Sequence, residues 1–364
     1  DFGLKLLASH PNVSIRLFNP YRARVGWLRP LELVADFRRL HRRMHNKIFA
    51  VDGITGIFGG RNIGDNYFDA HRQSNFADFD VFVAGELIVA ATASFEEYWN
   101  HRLALPAERL TRRPGTPEDF EAGRRYLRER VGGLPEFGER YARAREQLLQ
   151  LVSIPEEVLT WARAEFVADP PDKLVPGWRG GSPVLDRLVQ LWAGAREEVL
   201  VQSAYFVLPV HAGYAKYRRR LLKAGIGVHE FQREAVHTAG DLRLASGSSD
   251  ASLHSKVLVF DRAVTWVGSF NLDPRSALIN TELGIVIHDE AIAQRTAAMV
   301  ERDLLPDRAW RLALEPRAGG GLGLVWYGER DGVELRLTRE PDASLGQRAV
   351  VNVLKLVPGL EGLL

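Results

Sequence analysis

Two stretches of the chain carry reactive residues in the same order and at the same spacing. "LHRRMHNKIFAVDGITGIFGGRN" (40–62) holds His45, Lys47 and Asp52 in the pattern H-x-K-x-x-x-x-D, followed by Gly59, Gly60 and Asn62. "LHSKVLVFDRAVTWVGSFN" (253–271) holds His254, Lys256 and Asp261 at identical offsets, followed by Gly268, Ser269 and Asn271. One such pattern is weak evidence, because a lone histidine on a strand is more often structural than catalytic. Its repetition, with Gly and Asn at matching offsets, asks for a physical cause.

Alternate residues of an extended strand share a face, so each repeat presents an imidazole beside an ammonium. Asp52 and Asp261 lie at an odd offset from their histidines, which puts them on the opposite face of a regular strand and gives them a structural role, with Gly59, Gly60, Gly268 and Ser269. Two imidazoles, two ammoniums and two amides converging on one point suit a phosphodiester. One neutral histidine attacks phosphorus, and the other, as imidazolium, protonates the leaving alkoxide. Lys47, Lys256, Asn62 and Asn271 hold the non-bridging oxygens. The ammoniums supply the positive charge a metal would bring, so neither metal nor cofactor is expected. A later strand in each half opens with an acid, "DFDVFVAG" at Asp78 and "ELGIVIHD" at Glu282. Each acid is placed to accept a histidine's second ring N–H and fix its tautomer.

The elements that must position these groups read as two copies of one α/β unit. In the first, an amphipathic stretch (Phe2, Leu4, Leu6, Leu7) leads through the strand "VSIRLF" and a basic linker to the His45 strand. In the second, "YAKYRRRLLKAGIGVHEF" leads to the His254 strand. His45 and Asp78 are 33 residues apart, against 28 for His254 and Glu282, which points to a five-residue insertion around "AHRQSN". Residues 105–170 read as a helical connector rich in Arg and Glu, closed by the Pro/Gly-rich "VADPPDKLVPGWRGGSP", with "EEVLVQSAYFV" opening the second half. "SLGQRAVVNVLKLVPGLEGLL" reads as a docked terminal helix.

Composition narrows the class. The 364 residues, 46% apolar and 26% charged, are those of a globular protein. There is no cysteine, hence no disulfide, thiolate nucleophile or cysteine zinc site. H-E-x-x-H, P-loop and G-x-S-x-G motifs are absent, and no apolar run approaches a membrane span. The formal charge is only +2, yet Arg22, Arg24, Arg29, Arg38, Arg39, Arg42, Arg43 and Lys47 cluster against Glu32 and Asp36, a run suited to an anionic ligand.

At the paired motifs the sequence resembles the phospholipase D superfamily. The flanking words "HPNVSIRLFNP", "GGRNIGDNYFDA", "FADFDVFVAG", "SLHSKVLVFD" and "GSFNLDPRSALINTELG" resemble the C-type branch of bacterial cardiolipin synthases. The resemblance implies two pseudo-symmetric α/β repeats with mixed sheets packed together and both motifs in one site. Its boundaries here are a first repeat over 1–104, a connector over 105–172, a second repeat over 173–312 and a C-terminal extension over 313–364. It implies transfer of a phosphatidyl group through a phosphohistidine to phosphatidylglycerol, with phosphatidylethanolamine as a second possible donor. It also implies a peripheral place on the bacterial inner membrane. By analogy His45 is the nucleophile and His254 the acid. Two departures are expected: the strand–helix–strand unit before "HPN" is missing, and the second half is shortened between "SAYFV" and "LPVHAGY". A hydrolase or nuclease would use the same residues, although the basic run lacks the interleaved aromatics that stack bases, so nucleic acid is not the expected partner. A catalytically impaired membrane-binding fragment is the non-enzymatic alternative.

Overall fold

A computed structural model of the chain describes residues 2–23, 26–68, 74–110, 116–132, 142, 146, 159–203, 208–232, 250–317 and 319–341. The terminal helix expected over 344–364, Arg24 and parts of the Arg/Glu-rich connector lie outside them, while the described stretch Pro117–Gly132 of that connector is a helix. The chain divides into two compact units. One comprises Asp1–Met44, Ala93–Trp161 and Pro170–Trp178, and the other His45–Thr92, Ala162–Asp169 and Arg179–Leu364.

Within the first unit the amphipathic start forms the helix Phe2–Ala8. Strand Arg16–Phe18 pairs antiparallel with Ala104–Pro106. The basic run is divided by local chemistry. Arg39 is buried against Glu32 at 2.6 Å and Asn19 at 2.8 Å, and Arg42 donates to the Lys173 carbonyl.

The second unit holds both motifs. Its central sheet runs Arg163–Ala168, Leu283–His288, Val264–Gly268, Lys256–Phe260, Val199–Ser203, with every pair antiparallel. A smaller antiparallel sheet runs Ile48–Val51, Thr55–Gly59, Asp80–Ala84. The one parallel pairing among the described strands joins Ser74–Ala77 to Asp250–Leu253. Strand Arg163–Ala168, inside the stretch read as a helical connector, forms an edge of the central sheet. Arg and Glu at helical spacing nearby masked a short run whose Phe166 and Val167 pack on opposite faces. His229–Phe231, read as leading into the His254 sheet, pairs instead with Ala309–Pro316 in a separate four-stranded sheet around Trp310 and Trp326.

Alternation along the strands makes a sandwich of the two motif sheets. Phe58, Ile48, Val81 and Val83 turn inward from the small sheet, and Leu283, Ile285 and Ile287 meet them from the central one, with Ile88 and Ala91 of helix Leu87–Asn100. Helix Glu290–Asp303, capped by Asp289 accepting from the Ile292 N–H, adds Ala293, Ala297 and Val300 over Val257, Val259 and Val267.

The outer faces of the sheets differ. In the central sheet the cross-strand row Leu258, Trp266, Val286 is buried beneath Val184 and Leu188 of helix Pro183–Gly194. The equivalent row of the small sheet is Phe49, Ile57, Phe82, exposed by 63%, 42% and 49%. Truncation should therefore cost unequal amounts at matched positions. Leu258→Ala is expected to lose about 2–5 kcal/mol through lost transfer energy and a cavity, and Phe49→Ala roughly 1 kcal/mol or less. Urea unfolding of the two variants and the parent measures the difference.

Candidate active site

Each motif histidine sits just ahead of its strand, held by the other repeat. The His45 backbone N–H donates to the Thr281 carbonyl at 3.0 Å, and that of His254 to the Ala77 carbonyl at 2.8 Å. Thr281 and Ala77 each precede an acid, so these bonds bring each histidine to the carboxylate of the opposite half. His45 Nδ1 lies 2.8 Å from Glu282 Oε2, and His254 Nδ1 lies 2.7 Å from Asp78 Oδ2. Spacing placed an acid beside each histidine; the crossing is a tertiary feature that spacing does not encode. Both acids are completely buried. A buried carboxylate accepts, so the Nδ1 atoms carry hydrogen and each Nε2 is left as the reactive nitrogen.

The acids are themselves fixed. Ser269 Oγ donates to Glu282 Oε2 at 2.5 Å and accepts from the Leu283 N–H. Asp169, buried beside them, accepts from the Glu282 N–H at 3.1 Å and from Ser182 Oγ at 2.7 Å, and its own N–H donates to the Glu282 carbonyl. In the first half the position of Ser269 is taken by Gly60. A Cβ there would come within 2.6 Å of Asp78 Oδ1, and one at Gly268 within 2.3 Å of the Leu283 carbonyl, so close approach requires both glycines.

The lysines complete the charge pattern. Lys47 Nζ donates to its own motif's His45 carbonyl at 2.6 Å, and Lys256 Nζ to the His254 carbonyl, lying also 3.2 Å from His254 Nε2. Burial drives Lys47 down to about 8 and Lys256 to about 7, against the pull of Glu282 and Asp78, with Lys47 adding to the depression of Lys256. Each lysine thus senses both acids, and the two motifs form one electrostatic site. Burial also lowers His254, opposed by its bond to Asp78 and assisted by Lys256. Burial pushes the Glu282 carboxyl up, but His45, Lys47 and Ser269 together outweigh it and hold the group below its ordinary value.

The remaining positions separate. Asn62 Nδ2 donates to the Tyr67 hydroxyl at 2.7 Å, and that hydroxyl lies 3.4 Å from His254 Nε2. Tyr67 and Phe76 rings flank the imidazole at 5.0 and 5.3 Å. Asn271 Oδ1 is buried with no hydrogen-bond partner. Asp52 and Asp261 occupy the turns after their strands at φ of 54° and 50°, beyond the regular strand on which the face argument relied. Asp261 accepts from the backbone N–H groups of Arg196, Glu197 and Glu198, a structural role. Tyr67, Asp169 and Phe76 were not singled out by motif spacing. Tyr67 stands five residues past Asn62, a local signal, whereas Asp169 is visible only once its strand is paired with Leu283–His288.

Residues 182–304 match the family model described as "Cardiolipin synthase, PLD-like domain". Over 98% of its length the chain is 33% identical to cardiolipin synthase C of Escherichia coli K12, of which it covers 80%. It is 28% identical, over 99% of its length, to an uncharacterized protein of Helicobacter pylori, of which it covers 76%. Among solved structures it is similar to phosphatidylserine synthase of Haemophilus influenzae, with 14% identity, a TM-score of 0.43, and coverage of 72% of this chain and 62% of that one. Paired motifs and 33% identity over nearly the whole chain to cardiolipin synthase C converge: the chain belongs to the cardiolipin synthase family of the phospholipase D superfamily, enzymes of the phosphatidyltransferase and phosphodiesterase type.

Proposed function

We propose that the chain forms cardiolipin by transferring a phosphatidyl group to phosphatidylglycerol through a phosphohistidine. The observation that supports this reading most is the crossed pairing of two partly exposed histidines with two buried carboxylates, beside buried Lys256 and half-buried Lys47. Neutral His45 Nε2 attacks phosphorus of the donor lipid, the bond to the leaving alcohol breaks, and the His254 imidazolium gives that oxygen its proton. Glu282 behind His45 stabilises the positive charge that the ring acquires on phosphorylation. Lys47 and Lys256, with Asn62 and Asn271, hold the non-bridging oxygens as charge rearranges. In the second step neutral His254 removes the proton from a glycerol hydroxyl of phosphatidylglycerol. The oxygen attacks phosphorus, and His45 leaves neutral.

The assignment of His45 as nucleophile follows the family analogy and fits the electrostatics. A His254 imidazolium of lowered basicity surrenders its proton more readily than a free one. An arriving phosphodiester anion also favours the charged lysines, offsetting the desolvation that depresses them.

Three outcomes follow from this reading. With phosphatidylglycerol alone and then with phosphatidylethanolamine added, the parent chain should produce cardiolipin. His45→Ala should produce none, and His254→Ala should be slower by about 10²–10⁴-fold, the usual worth of a general acid. Thin-layer chromatography of labelled lipid decides this, and phosphatidic acid as sole product would identify a hydrolase instead. The first step needs protonated His254, Lys256 and Lys47, all of lowered pKa, so kcat/KM should begin to fall below the ordinary histidine value as His254 loses its proton, and fall more steeply as the pH rises through about 7 to 8 and the lysines lose theirs. Asp78 supports the His254 imidazolium, so Asp78→Asn should lower the His254 pKa further in an NMR titration.

A further inference from the structure

Tyr67 belongs to neither motif pattern, yet its phenol stands at the reactive nitrogen of His254. The short turn Asp65–Tyr67 seats it: its N–H donates to the Gly64 carbonyl at 2.9 Å, and its carbonyl accepts from Arg61, which is paired with Asp80 at 2.5 Å. Asn62 Nδ2 donates to the phenol oxygen at 2.7 Å, so a lone pair of that oxygen is occupied and its own hydrogen is left to donate. Burial and Asp78 raise the phenol pKa against that bond, which keeps the hydrogen in place. His254 Nε2 is 3.4 Å away, longer than the roughly 2.7–3.2 Å of a well-formed bond, so the hydrogen faces the reactive nitrogen without being consumed there.

An oxygen that exchanges a proton with His254 must lie within roughly 2.6–3.2 Å of Nε2. With Tyr67 Oη only 3.4 Å from the same nitrogen, one oxygen can reach both. In the reaction above that place is taken first by the leaving oxygen and then by the attacking hydroxyl. The other donor near that nitrogen, Lys256 at 3.2 Å, is given there to the non-bridging oxygens. An alcohol has one O–H, which it gives to Nε2, so its oxygen can be held further only through a lone pair, by a donor. Water has a second hydrogen and can be held by an acceptor instead. A donor at this place therefore favours the alcohol. The Tyr67 and Phe76 rings, 4.8 Å apart and 5.0 and 5.3 Å from the imidazole, add an apolar wall against which an alcohol's carbons gain and water does not.

The other motif differs at the matching position. Five residues past Asn271 stands Ser276, buried, its Oγ accepting from the Asn271 N–H at 3.2 Å. A packing demand common to both repeats thus does not require the phenol.

We propose that Tyr67 selects the acceptor: its O–H holds the attacking glycerol hydroxyl beside His254 and favours transfer to an alcohol over transfer to water. The assignment rests on the transferase reading above. In that step the alcohol oxygen gives its proton to His254 Nε2 and forms a bond to phosphorus, while the bond from phosphorus to His45 breaks and its electron pair stays on the nitrogen. Water acting in the same place gives phosphatidic acid.

The test reads how the phosphohistidine partitions, since both products descend from it and a change that only slows its formation cancels from their ratio. Labelled phosphatidylglycerol is supplied to the parent and Tyr67→Phe chains, with and without ethanol, and cardiolipin, phosphatidylethanol and phosphatidic acid are separated by thin-layer chromatography. Tyr67→Phe, which keeps the ring, should lower the ratio of each transfer product to phosphatidic acid about 3–10-fold, the worth of one hydrogen bond, with circular dichroism unchanged. Slower turnover, or none, without a lower ratio overturns the assignment and leaves Tyr67 a support for the His254 ring. A parent that makes phosphatidylethanol but no cardiolipin loses the transferase reading, while a lowered ratio in Tyr67→Phe keeps the assignment. A parent that makes neither transfer product overturns both.

Discussion

The burial of Asp78 and Glu282 is the constraint from which the rest of the second unit follows. A carboxylate with no solvent exposure is tolerated only when its charge is met by partners that offset desolvation. Here the decisive partner of each is a histidine from the other half of the sequence. Neither half can satisfy its own acid, so the two sheets must pack, and the apolar sandwich of Phe58, Ile285 and their neighbours both requires and enforces that arrangement. The glycines at 60 and 268 serve the same constraint, since a side chain at either would push the adjoining strand away from the acid.

The charges left over make the site chemically usable. Two buried acids oppose the two lysines, whose pKa values are depressed because desolvation outweighs their attraction to the acids. An arrangement of this kind gains from an entering phosphodiester, whose charge restores what solvent would have supplied. Fixed backbone acceptors hold the ammoniums in place: Lys47 binds the His45 carbonyl and Lys256 that of His254. The positive charge is thus pre-organised rather than gathered when substrate arrives.

The repeats are similar in backbone and different in detail. Glu282 has Ser269 and the Asp169 network behind it, whereas Asp78 faces Gly60. Tyr67 and Phe76 lie against His254 only. Two histidines at the same place in matching motifs therefore have unlike surroundings, which suits the proposed division into a nucleophile and an acid. The outer faces diverge as well, with Trp266 covered and Ile57 bare.

The sequence by itself marked the candidate reactive residues and the strands beside them, because the H-x-K-x-x-x-x-D spacing, the glycine pairs and period-two alternation are local properties. It also marked Asp78 and Glu282 as partners of histidines, since acids open matching strands. It did not determine which histidine each acid would hold, because pairing across more than 170 residues is set by sheet packing and leaves no local pattern. Arg163–Ala168 escaped notice for the same reason: a six-residue edge strand owes its state to its neighbour, not to its own propensity. The basic run over 22–47 was legible as charge, yet only tertiary contacts decided that Arg39 would be buried, Lys47 would enter the site and Arg22 would stay exposed. Spacing fixes what a segment can offer, and the fold decides which of its faces another segment must cover.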